Sequence, residues 1–243
     1  MKILALSGSP RKKKGITDRI LQPFLEGAQE GGAEVSLVYL QGKKIKPCRG
    51  CFDCWWKTPG VCAQKDDMAE LLKLHAECDV GVYATPLYVC GMSAQLKMFF
   101  DRFIPLALPF IEVKNGHCTH PARGKRMTGM AVVSSCGFHE LDNFDEMVAH
   151  FKAICRLGGI KFYGALLRPH GEFLPFGEQV MKAQVEEVYT AAREAGRQMV
   201  KHDNIPDHLL KAVSRELLPR DVFLQGANQY FQNELDKLKK PTA

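Results

Sequence analysis

The sequence predicts a doubly wound α/β fold, in which helices cover both faces of a parallel sheet. Five short apolar runs of strand length alternate with five longer segments that have the periodicity of amphipathic helices. The 243 residues, of which 46% are hydrophobic, can also form one sizeable core. Because right-handed crossovers place helices on both faces of a parallel sheet, the alternation predicts a three-layer sandwich.

Each strand is expected where an apolar run meets a turn signal. The first run, for example, ends directly at Gly8-Ser9-Pro10, as a buried parallel strand does before a turn. The five expected strands are residues 2–7, 34–40, 80–85, 127–134 and 161–167. The five expected helices are residues 17–30, 67–76, 94–103, 143–157 and 177–201.

Three segments interrupt this alternation. A cysteine-rich stretch, residues 47–66, follows the second strand, and a long loop, residues 105–126, precedes the fourth strand. A loop of that length in a compact domain usually has a function or contacts another subunit. Residues 205–243 follow the last unit and predict a C-terminal extension of two short helices, separate from a main domain at residues 1–204. Its apolar positions need a partner subunit or the mouth of a pocket to cover them.

Composition narrows the functional class. No apolar run reaches the roughly 18 residues of a membrane span, and no export signal is readable. The nine cysteines are an odd number and mostly scattered, which indicates a reducing cytoplasm rather than a disulfide framework. The formal charge of +6 is modest and spread over several segments. Without a nucleic-acid motif, we expect neither nucleic-acid nor membrane binding.

The loop between the first strand and first helix has the chemistry of a phosphate site. Ligands of open α/β sheets bind beyond the carboxyl ends of the strands, where this loop lies. Small residues admit a phosphate, hydroxyls and an arginine contact it, and the helix N-terminus favours its charge. The alternative is a plain turn whose threonine caps the helix. The candidate phosphate-binding residues are Ser9, Arg11, Gly15, Ile16 and Thr17.

The sequence resembles a known family at this loop. The segment from Gly8 to Thr17 is similar to the phosphate loop of the NAD(P)H-dependent FMN reductase superfamily. Together with Pro47-Cys48-x2-Cys51-x2-Cys54 and Cys62, it resembles the iron-sulfur flavoprotein branch, over about residues 1–200. The resemblance implies a flavodoxin-like three-layer sandwich whose five-stranded parallel sheet has the order 2-1-3-4-5. It also implies bound FMN, with NAD(P)H as a candidate electron donor.

Two further loops match the flavin-binding loops of that family. The resemblance implies that Pro86, Leu87, Tyr88 and Val89, after the third strand, lie along the isoalloxazine ring. It assigns Ser134, Ser135, Cys136 and Gly137, after the fourth strand, to the polar edge of the flavin. Tyr88 has an alternative reading as an ordinary half-buried tyrosine, and Cys136 as a small structural residue. The chain departs from the family pattern at Ser93, where a proline is common.

Four cysteines within fifteen residues indicate a metal centre. Thiolates select iron-sulfur clusters and zinc. Zinc sites usually use two Cys-x2-Cys pairs with a longer span between them, whereas cysteines at successive two-residue gaps are typical of [4Fe-4S] centres. The spacing favours a [4Fe-4S] cluster, with zinc and metal-free thiols as the alternatives. The candidate ligands are Cys48, Cys51, Cys54 and Cys62.

These features predict an FMN-dependent oxidoreductase or electron-transfer flavoprotein, whose chemistry takes place on FMN and needs no catalytic side chain. A cluster would pass electrons to or from FMN, in exchange with a small-molecule or protein redox partner. One alternative is a cluster-free NAD(P)H-dependent reductase of flavins, quinones or nitro compounds. Another is a redox sensor based on the cysteines. The resemblance further implies a homodimer or homotetramer, since a shallow flavin site is commonly completed by a neighbouring chain.

Overall fold

A computed structural model describes residues 1–114 and 116–239 of the chain. Residue 115 of the predicted long loop and residues 240–243 of the predicted extension lie outside this described part. The strands, in chain order, are β1 (Lys2–Ser7), β2 (Glu34–Tyr39), β3 (Val80–Pro86), β4 (Glu112–Lys114), β5 (His117–Thr119), β6 (Gly129–Ser135) and β7 (Lys161–Arg168).

The helices fall where the periodicity predicts them, apart from a few shifted ends, the division of one predicted helix and the added α2. In chain order they are α1 (Ile16–Glu30), α2 (Asp53–Trp56), α3 (Met68–Glu77), α4 (Ala94–Phe100), α5 (Asp145–Gly158), α6 (Leu174–Val180), α7 (Lys182–His202), α8 (Asp207–Ser214) and α9 (Arg220–Lys239). The four-residue α2 lies in the cysteine-rich stretch. The predicted helix over 177–201 is divided into α6 and α7, because Met181 leaves the helical conformation.

The main sheet has five parallel strands in the order β2-β1-β3-β6-β7, which confirms the predicted fold class and strand order. Its strands end level with one another. Ser7 pairs with Tyr39 on one side and Ala84 on the other, and Ser135 pairs with Pro86 and Arg168. The strand order reverses beside β1, so the loops after β1 and β3 flank the crevice where such sheets bind ligands. β4 and β5 form a separate antiparallel hairpin.

Two apolar clusters pack against the opposite faces of the sheet. One joins α1, α7 and α8 to the strands, and the other joins α3, α4 and α5 to them. The backbones of helices α1 and α7 are in direct contact at two glycines. A Cβ added to Gly27 would lie 1.7 Å from the Arg193 carbonyl oxygen, and one added to Gly196 would lie 1.9 Å from that of Phe24. The missing side chains at these two glycines therefore allow the close helix packing.

The C-terminal segment has two different parts. α8 is amphipathic and buries Leu209 and Val213 in the same cluster as α1 and α7. α9 is longer than the predicted short helix, and it exposes Tyr230, Phe231 and Leu235. Within residues 1–114 and 116–239, no helix is both long enough and apolar enough to cross a membrane.

Candidate functional site

A cleft of about 450 Å³ opens at the carboxyl ends of β1, β3 and β6. The loops that follow these three strands converge on it, together with one residue after β7. All but two of the predicted cofactor-binding residues line the cleft. The lining residues are Ser9, Arg11, Gly15, Ile16, Thr17, Pro86, Leu87, Tyr88, Ser135, Cys136, Gly137 and Glu172.

The phosphate end of the cleft is built around the start of α1. The N–H groups of a first helical turn have no intrahelical acceptor, so those of Ile16 and Thr17 are available to an anion. Gly15 precedes them, and a Cβ there would lie 2.5 Å from the Ser9 Oγ. Ser9 and Thr17 are both buried. Small size, aligned donors and a helix dipole give this pocket the properties that a phosphate monoester requires.

Arg11 closes one side of the phosphate end. Its Nη1 lies 2.9 Å from the Oε1 of Glu172, and both side chains are about 60% exposed. Sequence reasoning missed Glu172, which lies in a short turn after β7. The available signal was its place beyond the carboxyl end of the fifth sheet strand. A carboxylate here engages the guanidinium that would otherwise face a bound phosphate.

The other two predicted residues are not among those that line the cleft. Val89 is at the tip of a tight hairpin in which Tyr88 and Gly91 exchange both backbone hydrogen bonds, and its side chain points fully into solvent. Val89 and Cys90 both have positive φ, 47° and 60°. Ser134 is buried, and its hydroxyl donates to the Thr85 carbonyl at 2.7 Å. Ser134 therefore joins the ends of β3 and β6 beneath the cleft.

Ser93 connects the loops after β1 and β3. Its backbone N–H donates to the Thr85 Oγ1 at 2.9 Å, and its hydroxyl donates to the Gly8 carbonyl at 2.8 Å. Ser93 is fully buried. A proline has no N–H and could make neither bond. The departure from the family pattern at this position thus has a specific structural role in this chain.

Cys136 contributes to the wall of the cleft as a protonated thiol. Its backbone N–H is engaged with the Arg168 carbonyl at 3.1 Å, and its Sγ donates to the Phe138 carbonyl at 3.3 Å. Burial raises the pKa of the thiol, which opposes formation of a nucleophilic thiolate. Next to it, a Cβ added to Gly137 would meet no atom within 4 Å, so this edge of the cleft is open.

A buried arginine and a histidine pair attach the C-terminal segment to the same edge. Arg168 donates to the carbonyls of Val213 and Arg215, at 2.8 and 2.7 Å, and to the Nε2 of His170 at 3.1 Å. His139 stacks on His170 with 4.9 Å between ring centroids. Burial and the nearby Arg168 lower the pKa of His170 to about 3, so this ring is neutral. The C-terminal segment is thereby fixed beside the loop after β6.

A second cleft, of about 510 Å³, is bounded by all four candidate metal ligands. Cys54 is buried on α2, Cys62 is partly buried, and Cys48 and Cys51 are exposed. Burial and the neighbouring Cys62 raise the pKa of Cys54. In the described part of the chain, no three His, Cys, Asp or Glu side chains are grouped closely enough to hold a single metal ion.

The cysteine-rich stretch is fixed to the long loop by an aromatic anchor. The Trp55 Nε1 donates to the carbonyls of Ile104 and Ala107, at 3.1 and 3.0 Å. The Trp55 ring also packs against Phe52 and His120. These contacts hold one wall of the second cleft in place although the stretch contains little regular structure.

Arg102 completes the second cleft. Its side chain is only 1% exposed and pairs with the equally buried Asp66. Nη1 also donates to the Lys46 carbonyl at 3.2 Å, and Nη2 donates to the Cys62 Sγ at 3.1 Å. The buried Nε has no hydrogen-bond partner among the described residues. Four thiols and a buried, incompletely satisfied cation form a donor set that fits an anionic, thiolate-ligated cluster.

Comparison with known families finds matches to the N-terminal part of the chain. A family model described as NADPH-dependent FMN reductase matches residues 1–154. An iron-sulfur flavoprotein of Archaeoglobus fulgidus is 41% identical over 105 residues, which are 43% of this chain and 46% of that protein. One from Methanocaldococcus jannaschii is 40% identical over 110 residues, 45% of this chain and 55% of that protein. The matched segment spans about half the length of these relatives.

Solved structures share the fold at low sequence identity. An FMN-dependent NADH-azoreductase from Bacillus anthracis, in complex with FMN, superposes with a TM-score of 0.58 and 17% identity, covering 82% of this chain and 99% of the other. An NAD(P)H:quinone oxidoreductase from Methanothermobacter marburgensis gives the same TM-score and identity, covering 82% and 96%. Together these likenesses support the flavodoxin-like sandwich.

Proposed function

The chain belongs to the NADPH-dependent FMN reductase family, and on that premise we propose that it is an FMN-dependent oxidoreductase. The observation that carries the proposal is the convergence of three predicted flavin loops on one cleft at the carboxyl edge of the sheet. FMN, when bound, supplies hydride and electron transfer at its ring. The protein supplies binding, orientation and polar contacts.

Each loop has a distinct part in this proposal. The first helical turn of α1, with Ser9 and Thr17, holds the phosphate. Pro86, Leu87 and Tyr88 present a half-exposed wall for one face of the flavin. The open edge at Gly137 gives the backbone close access to the polar rim of the ring. No side chain of the cleft acts as a nucleophile, and the raised pKa of Cys136 supports this assignment.

We assign the reductant to NAD(P)H or a protein electron donor, and the acceptor to a small molecule or a protein. The family description and the names of the structural neighbours support a pyridine nucleotide as donor. The edge of the cleft at Gly137 is open, which supports access of such a substrate to the flavin. The cysteines of the described residues form no disulfide, which supports a reducing, cytoplasmic setting.

The flavin proposal is tested by titrating the purified protein with FMN and following the quenching of flavin fluorescence. We expect one FMN per chain, released on denaturation. The reduced protein should then be reoxidised by a quinone, with NADH or NADPH as donor. Failure to bind FMN under these conditions would overturn the assignment.

We further propose that the second cleft holds a [4Fe-4S] cluster. The four cysteines that bound one cleft and the buried Arg102 support it, as do the relatives named iron-sulfur flavoproteins. Protein produced anaerobically with sufficient iron should contain about four iron atoms per chain. If the protein contains zinc in place of iron, or thiols without metal, the cluster proposal fails and the protein is a cluster-free reductase.

Substitution of one ligand sharpens this test. Cys54→Ser should lower the iron content without abolishing FMN binding, since Cys54 lines the second cleft only. Cys90→Ser is the matched control, because Cys90 is exposed and does not line that cleft. Equal iron loss in both variants would contradict the assignment. Unchanged reductase turnover in Cys51→Ser would separate a reductase from a cysteine-based sensor.

We also propose that the protein forms a homodimer or homotetramer, through α9 and the hairpin region. Both segments expose large apolar side chains, including Phe110 and Ile111 near β4 and Tyr230 and Phe231 on α9. Removal of residues 205–243 would delete core residues of α8, so the test is truncation after residue 219. Light scattering should show a lower mass for the truncated protein than for the wild-type assembly. A truncated protein that keeps its oligomeric mass would exclude α9 as the contact.

A further inference from the structure

Arg102 differs from the other fully buried arginine in what its guanidinium binds. Arg168 donates to backbone carbonyls and a histidine, so its role is to join segments. Arg102 follows α4 and donates instead to a cysteine sulfur, the Sγ of Cys62. Cys62 is one of the four cysteines of the second cleft. This contact brings a permanent positive charge to one candidate ligand.

The charge around Cys62 is arranged asymmetrically. Asp66 neutralises Arg102, but it binds through Nη1, whereas the sulfur is bound through Nη2. Asp66 is itself held by the N–H groups of Lys46 and Met68, at 3.0 and 3.2 Å. The carboxylate is thereby fixed on the far branch of the guanidinium. The Cys62 sulfur therefore contacts the Arg102 guanidinium directly, whereas Asp66 binds the other branch of that guanidinium.

The donors of Arg102 are not all used. A guanidinium has five N–H groups. In Arg102, Nη1 and Nη2 donate to Asp66, Lys46 and Cys62. The Nε has no partner among the described residues and is shielded from solvent. Leaving a buried donor unpaired is costly, so the hydrogen bonds among the described residues do not by themselves account for Arg102 at this position.

We propose that Arg102 is a positioning residue that raises the reduction potential of the iron-sulfur cluster through Cys62. The inference rests on the proposed cluster function. One-electron reduction, from dithionite in the test or from the redox partner, adds one negative charge to the ligated group and breaks no bond. Hydrogen bonds to ligand sulfurs and nearby positive charge stabilise that added charge. Asp66 opposes this effect and limits its size.

The test is a redox titration of anaerobically produced protein, with the cluster followed by electron paramagnetic resonance and FMN by absorbance. Arg102→Gln should lower the midpoint potential of the cluster, by about 59 mV if reduction becomes tenfold less favourable. Asp66→Asn retains the arginine and should shift the potential upward. Lys125→Gln is the control, because it removes a positive charge from a surface pair with Asp79, and neither residue lines the second cleft. The FMN potentials should not follow any of these shifts.

The outcomes separate the two proposals. Iron-loaded Arg102→Gln with the wild-type cluster potential overturns the role of Arg102 and leaves the cluster assignment intact. An equal shift in Lys125→Gln also overturns it, because the effect would then be one of net charge. If Arg102→Gln does not fold or load iron, Asp66→Asn decides, and the absence of an upward shift overturns the inference. Wild-type protein without iron removes both proposals.

Discussion

The Oγ1 of Thr17 and the Oγ of Ser135 lie 2.8 Å apart, although 118 residues separate them in the chain. This hydrogen bond joins the first turn of α1 to the end of β6 and forms the floor of the phosphate end of the cleft. Both hydroxyls are almost completely buried. Each is therefore fixed before a ligand arrives, which reduces the ordering cost of binding.

Thr17→Val should weaken FMN binding about tenfold while the fold is retained. The substitution keeps the shape of the side chain but leaves the Ser135 hydroxyl without its partner and removes a donor to phosphate. A loss of about 1.4 kcal/mol corresponds to that factor. The measurement is a fluorescence titration with FMN. Thr190→Val on the exposed face of α7 is the control, and equal affinities for the two variants would count against the phosphate site.

Glu172→Gln should tighten FMN binding by up to about fivefold. The carboxylate of Glu172 pairs with Arg11 across the cleft, and it would also repel a phosphate. Because both groups are exposed, the gain is limited to about 0.2–1 kcal/mol. The same titration at low and high salt checks the result, since the effect should shrink with screening. Glu70→Gln, which breaks a surface pair with Lys43, should leave the affinity unchanged. Weaker binding in Glu172→Gln would refute the proposed competition.

Ser93→Pro should destabilise the protein more than Ser93→Ala. The alanine variant loses the hydroxyl bond to Gly8 and keeps the N–H bond to Thr85, at a cost of about 1 kcal/mol. The proline variant loses both and leaves the buried Thr85 hydroxyl without its donor, adding roughly 1–3 kcal/mol. Urea unfolding of the three proteins gives the two differences. A proline variant as stable as the wild type would show that these bonds do not fix the loop.

Gly196→Ala should destabilise the fold by roughly 1–3 kcal/mol, as overpacking does. The added Cβ would lie 1.9 Å from the Phe24 carbonyl oxygen, so α1 and α7 must move apart. Gly226→Ala on α9 is the matched control, since a Cβ there meets nothing within 4 Å and alanine favours a helix. Thermal unfolding should show a lower midpoint only for Gly196→Ala. Equal midpoints would mean that the two helices separate without cost.

Stability should fall as the pH is lowered from about 6.5 towards 4, in part because of His75. Burial lowers the pKa of this histidine to about 4, and its Nε2 lies 2.9 Å from the Tyr83 hydroxyl. The native state thus binds fewer protons than the unfolded chain in this window, so stability is retained above it and lost below it. One histidine contributes at most about 1.4 kcal/mol per pH unit.

His75→Gln should reduce that slope, whatever its effect on stability at neutral pH. The measurement is the free energy of urea unfolding at several pH values between 4 and 7. His150→Gln, at an exposed site on α5, should retain the wild-type slope. If His75→Gln and His150→Gln show the same pH dependence, burial of the His75 ring does not control acid stability.

The strands and the phosphate loop were predictable because their signals are local. The apolar run from Lys2 to Ser7 and the turn after it determine both the strand and the loop. The sheet order follows from the family resemblance and is confirmed by the pairing of the strands. The length of α9 was less predictable, since its apolar side chains remain exposed and so give no clear pattern of a buried helix face.

Sequence alone determined which loops meet at the carboxyl edge and that four cysteines share one stretch, because strand direction and chain spacing constrain both. Only the tertiary structure decided which residues face the clefts. In the structure, the Val89 side chain points into solvent, Ser134 lies beneath the cleft, and Glu172 pairs with Arg11. It also placed Arg102 against Cys62, forty residues away in the chain. Such contacts depend on how separate segments pack, and no local pattern in the sequence records that packing.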